Sequence, residues 1–249
     1  MRVVAVWSIK GGVGKTAAAV NLAFFAAAAG LRTLLWDLDP QGAATFYYRV
    51  KAKVKGGGRR LLKRSAELQL LVRGTDIENL DLLPADFSYR RLDLDLDARK
   101  QPQRRLALKL APLADEYDVV FLDCPPSVSL ASESVLRAAD ALLVPVIPTT
   151  LSLRGLAQVR SFATKRGRRD LLVLPFLSMV DRRKTMHRDA IGLCAADEGF
   201  LRAAIPAASI VEKMGVHRAP LPAYAPFSEP ARAFAALWSE LDARLFGRR

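Results

Sequence analysis

Seven consecutive residues, Lys10-Gly11-Gly12-Val13-Gly14-Lys15-Thr16, stand between an apolar run, Arg2 to Ile9, and an alanine-rich helix former, Thr16 to Ala29. A strand that turns through glycines straight into a helix leaves few folds open. The glycines let backbone N–H groups point inward without Cβ clashes, and the helix start adds orphan donors and the positive end of its dipole. Together they form a cradle for phosphate. Lys15 is placed to reach β- and γ-phosphates, and the Thr16 hydroxyl to sit on Mg²⁺. The general pattern G-x-x-x-x-G-K-[ST] has glycine where this chain has Ile9. Lys10 adds a charge that the usual loop lacks.

Further apolar runs follow at Arg32–Leu38, Asn79–Pro84, Asp118–Asp123, Asp140–Ile147 and Asp170–Ser178. Helical patterns fall between them, near 59–73, 103–115, 130–138, 152–166, 185–198 and 229–246. Near-continuous apolar strands separated by helices predict an α/β fold, a mostly parallel twisted sheet with helices on both faces. No internal repeat or long linker interrupts the pattern, so residues 1–249 are expected to form a single domain. Two stretches depart from it. Residues 49–64 hold eight basic residues and no acid, with three glycines at 56–58 that predict a flexible loop or hinge. In residues 90–105, Asp93, Asp95 and Asp97 alternate with leucines. They lack the central Gly and distant Glu of a Ca²⁺ loop, so a solvated loop or short strand is expected.

Hydrophobic residues make up 51% of the 249, enough for a sizeable core, which excludes disorder as the main state. No stretch reaches the roughly 18 apolar residues of a membrane span. The longest candidate, Ala17 to Leu31, is broken by Asn21 and Gly30. No cleavage site follows the first apolar run, so a cytoplasmic protein is expected. Cys124 and Cys194 exclude a disulfide scaffold. His187 and His217 lack partners at metal-ligand spacing and are read as structural or surface residues. Cys124 has no evident base, so it is not read as a nucleophile.

Two carboxylates end the second strand in Trp36-Asp37-Leu38-Asp39-Pro40-Gln41-Gly42, and Asp123 ends a later one in Phe121-Leu122-Asp123-Cys124-Pro125-Pro126. Ligands of open α/β sheets collect at the carboxyl ends of strands, where a carboxylate can hold Mg²⁺ or position a water. KGGVGKT, then DLDPQG, then FLDCPPS, in this order and spacing, closely resembles the ParA/MinD/Soj family of deviant Walker A P-loop ATPases. The resemblance is strongest over 1–45 and 115–160. It implies an ATPase that uses ATP and Mg²⁺, with Gly11, Gly12, Val13, Gly14, Lys15, Thr16 and Ala17 wrapping the nucleotide. It implies that Lys10 reaches across a homodimer to the partner's phosphates. Asp39 would organise the attacking water and stand near the metal, Asp37 would support the site, and Thr16 and Asp123 would hold Mg²⁺. Asn21 resembles the Asn of the family's N-L-A segment. Two positions depart from the family, with Ala43 where Asn is frequent and Ala17 where a second Thr is frequent.

The charge calls for an anionic partner. Lys and Arg total 38 against 25 Asp and Glu, a net +13, and Lys10 and Lys15 account for only two of the cations. The resemblance implies ATP-dependent binding of non-specific DNA on the nucleoid, with hydrolysis stimulated by a ParB-like or cargo-adaptor protein. Family position selects Arg183, Arg188, Arg202, Lys213 and Arg218 as the DNA contacts. One alternative is a MinD-like ATPase on a membrane surface, using the stripe Phe234, Leu237, Trp238, Leu241, Leu245 and Phe246 with Arg248-Arg249 behind it. The same stripe suits packing on the core, which is the favoured reading. Another alternative is an ATP-dependent amidotransferase-type synthetase, for which no substrate-acid motif is visible.

Overall fold

The computed structural model describes residues 1–63 and 68–247. Its strands are β1 (Arg2–Val6), β2 (Thr33–Asp37), β3 (Arg73–Gly74), β4 (Leu80–Leu83), β5 (Val119–Asp123), β6 (Ala141–Val146), β7 (Leu172–Val180) and β8 (Ala204–Pro206). Among the described residues they form one sheet in the order β3-β4-β2-β5-β1-β6-β7-β8. Every neighbouring pair is parallel except β3 and β4. The predicted α/β class and strand pattern are observed. The two edge strands, of two and three residues, were not predicted; neither is long enough to give an apolar pattern.

The central strands are buried on both faces, so each alternate residue feeds a different core. Trp7, Trp36 and Leu122 pack on one side, beneath the helices Leu130–Ala138 and Thr150–Arg166. Leu35, Phe121 and Phe176 pack on the other, beneath helix α1 (Lys15–Ala28) and the C-terminal helix Glu229–Phe246. Alanines at 18, 19, 23, 26 and 27 are all buried, so α1 lies close on the sheet. Burying a side chain the size of Phe121, which is 0% exposed, contributes about 2 to 3 kcal/mol.

Three expectations are corrected. Residues 59–73 are not one helix: a short helix, Gly57–Leu61, and a 3₁₀ turn, Gln69–Leu71, flank residues 64–67, which lie outside the described residues. Gly56, at φ 85°, makes the turn that opens the first piece, so two of the three glycines sit inside a helix rather than a hinge. The Asp-Leu alternation is neither loop nor strand but the helix Leu92–Asp97. Leu92 and Leu96, one helical turn apart, enter the core, while Leu94 stays 70% exposed.

The C-terminal helix settles the fate of the apolar stripe. Phe234, Leu237, Trp238, Leu241 and Leu245 are all buried, with the Trp238 ring 6.3 Å from that of Phe121. The expected packing on the core is observed, and the face a membrane would need is already covered. Arg248 and Arg249 lie outside the described residues. Among the described residues no helix is long and apolar enough to cross a membrane.

Candidate functional site

Sheet register assembles the site. In the β2–β5 ladder Asp37 lies beside Asp123, and in the β1–β5 ladder Asp123 lies beside Val6, from which the chain runs into the glycine loop. The loop and both carboxylates therefore meet at the carboxyl ends of adjacent strands. The loop enters α1 through Gly14 at φ 90°, with no side chain capping the helix. Gly12 is also left-handed, at φ 67°. A Cβ on Gly14 would come within 2.9 Å of Ser178 Oγ. That Ser178 hydroxyl, buried near the end of β7, donates to the Val13 carbonyl at 2.9 Å and braces the loop from outside it.

The Lys15 side chain is buried and folds back to donate from Nζ to the Lys10 carbonyl at 3.1 Å. Burial lowers its pKa, against the opposing charges of Asp123 and Asp39. Among the described residues, both oxygens of Asp123 are buried without a hydrogen-bond partner. Burial, reinforced by Asp37, drives the Asp123 carboxyl well above the usual carboxylate range, while Thr16 and Lys15 favour its charged form.

Asp37 is equally buried but fully engaged. It accepts from Thr45 N at 2.8 Å, Thr45 Oγ1 at 2.7 Å and Asp39 N at 3.2 Å. Burial still raises its pKa to about 6 against these bonds. Thr45 lies on helix α2 (Ala43–Tyr47), which follows DPQG, and its hydroxyl also accepts from Ala85 N. Asp39 is half-buried, and its Oδ1 accepts from Gln41 N at 2.9 Å.

A cavity of about 620 Å³ opens over the loop. Residues 11–17 and Asp39 line it, together with the apolar wall residues Ile205, Pro206, Val211, Met214 and Phe234. Tyr47 lines it too, its phenol pKa raised by burial and by Asp123. Lys10 is not on this wall and forms no ion pair among the described residues. Sequence reading missed Ser178, Thr45, Tyr47 and Met214. Only the buried β7 run around Ser178 and the position of Thr45 after DPQG carried any signal.

Asn21 has a structural task. It is fully buried, donates to the Ala17 carbonyl at 2.7 Å, and accepts from Leu221 N at 2.8 Å, tying α1 to the segment before the C-terminal helix. Buried His187 accepts from Asp181 N at 3.0 Å, and exposed His217 stacks on Tyr224. The five basic residues selected from family position do not share one state. Arg183 is held by Asp181 at 2.9 Å, and Arg218 lies over the Phe46 ring at 4.6 Å. Arg202 donates to the Ala195 carbonyl, and Arg188 donates to Thr185 Oγ1. Lys213 is exposed.

Comparison with known proteins now bears on this arrangement. The AAA domain family AAA_31 matches residues 1–169. The sporulation initiation inhibitor protein Soj of Bacillus subtilis (strain 168) is 33% identical over 190 residues, 74% of this chain and 75% of Soj. The chain belongs to the ParA/MinD/Soj family of ATPases. The chromosome partitioning protein ParA of Myxococcus xanthus is 37% identical over 159 residues, 64% of this chain and 56% of that relative. A Mycobacterium smegmatis crystal structure, described as cobyrinic acid a,c-diamide synthase with bound ADP and magnesium, superposes with a TM-score of 0.80 at 29% identity. It covers 100% of this chain and 97% of its own. Membership accounts for the glycine loop and the DPQG turn. Ser178, Thr45 and Tyr47 emerge only from the packing.

Proposed function

We propose that the protein is an ATP-driven dimerising switch that binds DNA non-specifically and positions a cargo, residues 1–249 acting as one domain. The observation that carries the reading is the uncapped, glycine-turned start of α1, with buried Lys15 at its first turn and the orphaned carboxylate of Asp123 behind it. Such a helix start with a buried cation accepts a polyphosphate. The apolar part of the cavity lining suits a purine ring.

The residues fit Mg²⁺ as well. A buried carboxylate without donors calls for a cation, and Thr16 faces it. Thr16 and Asp123 would hold the metal, with Asp39 near it. Bound there, magnesium neutralises phosphate charge. Lys15 exchanges the Lys10 carbonyl for the β- and γ-phosphate oxygens. The amides of residues 11–17 hold the same oxygens in place. Asp39 orients water toward the γ-phosphorus, whose bond to the ADP oxygen breaks as the new P–O bond forms. Asp37, fixed by Thr45, holds the Asp39 backbone and does not touch substrate. Lys10, off the wall of its own cavity, is free to reach the phosphates of a partner subunit.

Burial of the C-terminal stripe supports DNA over a membrane as the anionic surface, in keeping with a location on the nucleoid. Stimulation by a ParB-like or cargo-adaptor protein completes the cycle. The test is phosphate release together with ATP-dependent dimerisation and DNA binding, by light scattering and fluorescence anisotropy. DNA binding that appears only with ATP supports the switch, and equal binding without nucleotide overturns it. ATP turnover that requires a carboxylic acid and an amide donor would point instead to the activity in the Mycobacterium smegmatis description.

A further inference from the structure

The basic stretch after α2 is not used by the nucleotide site. Lys51, Lys53 and Lys55 line a hollow of about 370 Å³, together with Val50 and Gly56, and Arg73 completes it from edge strand β3. We propose that this hollow is a docking surface for the phosphate backbone of duplex DNA. The proposal rests on the DNA-binding reading above but assigns it to a different place from the C-terminal residues that the family resemblance implies.

The first argument is charge without counter-charge. None of Lys51, Lys53, Lys55, Arg59, Arg60, Lys63 and Arg73 forms an ion pair among the described residues. The Arg73 guanidinium meets only the carbonyls of Leu70 and Val72. Asp86 is the carboxylate with a charge interaction with Lys53, and its oxygens already accept from Val54 N, Ser88 N and Ser88 Oγ at 2.8, 2.9 and 2.6 Å. Some basic side chains do have answering acids, as in Arg49–Asp76, Arg160–Asp197, Arg168–Asp140 and Arg183–Asp181; those that line the hollow do not. A cation without an internal partner keeps its whole charge for an external phosphate and releases a counterion when it binds one.

The second argument separates DNA from an anionic membrane. Interfacial membrane binding needs an apolar face beside the basic one. Here Val54, Leu61 and Leu62 are buried, and Val50 is half-buried. The stretch shows solvent its charges and keeps Val54, Leu61 and Leu62 in the core. The third concerns specificity. Residues 48–56 form no helix that could enter a major groove, and no amide side chain lines the hollow. Contacts of this kind position a protein on the backbone and carry no sequence information.

The experiment measures anisotropy of a labelled random-sequence duplex with the ATP-loaded full chain over a series of salt concentrations. It compares wild type, the quadruple variant K51A/K53A/K55A/R73A and the control R183A/R188A. The quadruple variant is expected to lose affinity about tenfold or more and to lower the slope of log K against log salt by about 3 to 4, while the control changes less. Unstimulated phosphate release and the thermal midpoint should match wild type. Should the quadruple variant fail to fold, K53A and R73A singly each lower the slope by about 1. Wild-type binding that persists undiminished in the variants overturns this surface and leaves the switch standing. Wild type that binds no DNA at any salt overturns the DNA reading and the surface with it. Binding to phosphatidylglycerol vesicles, lost in the variants while DNA binding stays, reassigns the hollow to lipid and overturns the proposal.

Discussion

Asp37 and Asp123 lie side by side in the β2–β5 ladder, yet Asp37 accepts three hydrogen bonds and Asp123 accepts none. Both are buried, and both have pKa values raised above the ordinary 3.8, Asp37 to about 6. A carboxyl whose folded value is raised stabilises the fold below its unfolded value, and that stabilisation is lost as pH rises through the folded value. The nucleotide-free protein should therefore lose stability as pH rises from about 4 through about 6 and beyond, Asp37 and Asp123 titrating as a pair. Asp181, held at about 2 by Arg183, acts at lower pH. Asp123→Asn should flatten part of the slope in urea titrations, and it should also remove the stabilisation that Mg²⁺-nucleotide confers. A variant as steep as wild type would refute the assignment.

Gly14→Ala carries two penalties, a left-handed backbone and a Cβ 2.9 Å from Ser178 Oγ. It should destabilise by about 1 to 2 kcal/mol or more and weaken nucleotide binding at least about tenfold. Gly12→Ala meets open space and should show the backbone cost alone. Adding Ser178→Ala to Gly14→Ala should recover the steric part. Equal effects of the two glycine substitutions in thermal melts and nucleotide titrations would show that the contact with Ser178 does not matter.

Three substitutions separate the roles at the loop. Lys15→Ala should abolish nucleotide binding, measured by calorimetry. Lys10→Ala should bind nucleotide normally as a monomer but fail to dimerise in light scattering. Asp39→Ala should bind ATP and dimerise without releasing phosphate. Normal turnover by Asp39→Ala would remove that residue from the chemistry.

The C-terminal helix is structural, so Leu241→Ala, at a fully buried position, should cost about 2 to 5 kcal/mol. Removing residues 235–249 should leave protein that does not fold. A truncated form that folds well and merely releases acidic vesicles would reverse the reading of the apolar stripe.

The sequence made the buried middle of the sheet legible because each central strand is apolar on both faces, as Val119–Leu122 is. It made the loop legible because glycines and a lysine at fixed spacing have few other uses. The alternation at Leu92–Asp97 misled because period two in the letters hides a period-four contact between Leu92 and Leu96 and the core. Thr45 and Ser178 carried only a faint signal as site residues because their partners, Asp37 and Val13, lie 8 and 165 positions away. Arg73 joins the lysine hollow only through strand pairing with β4, which two residues cannot announce.

The sheet ends in β3, two residues long and antiparallel, and β8, three residues long. Edges so short offer a neighbouring chain too few free amides and carbonyls to extend the ladder. Copies of this protein are thereby steered away from edge-to-edge stacking into fibres. The ATP-driven dimer proposed above would then have to form through side chains and loops.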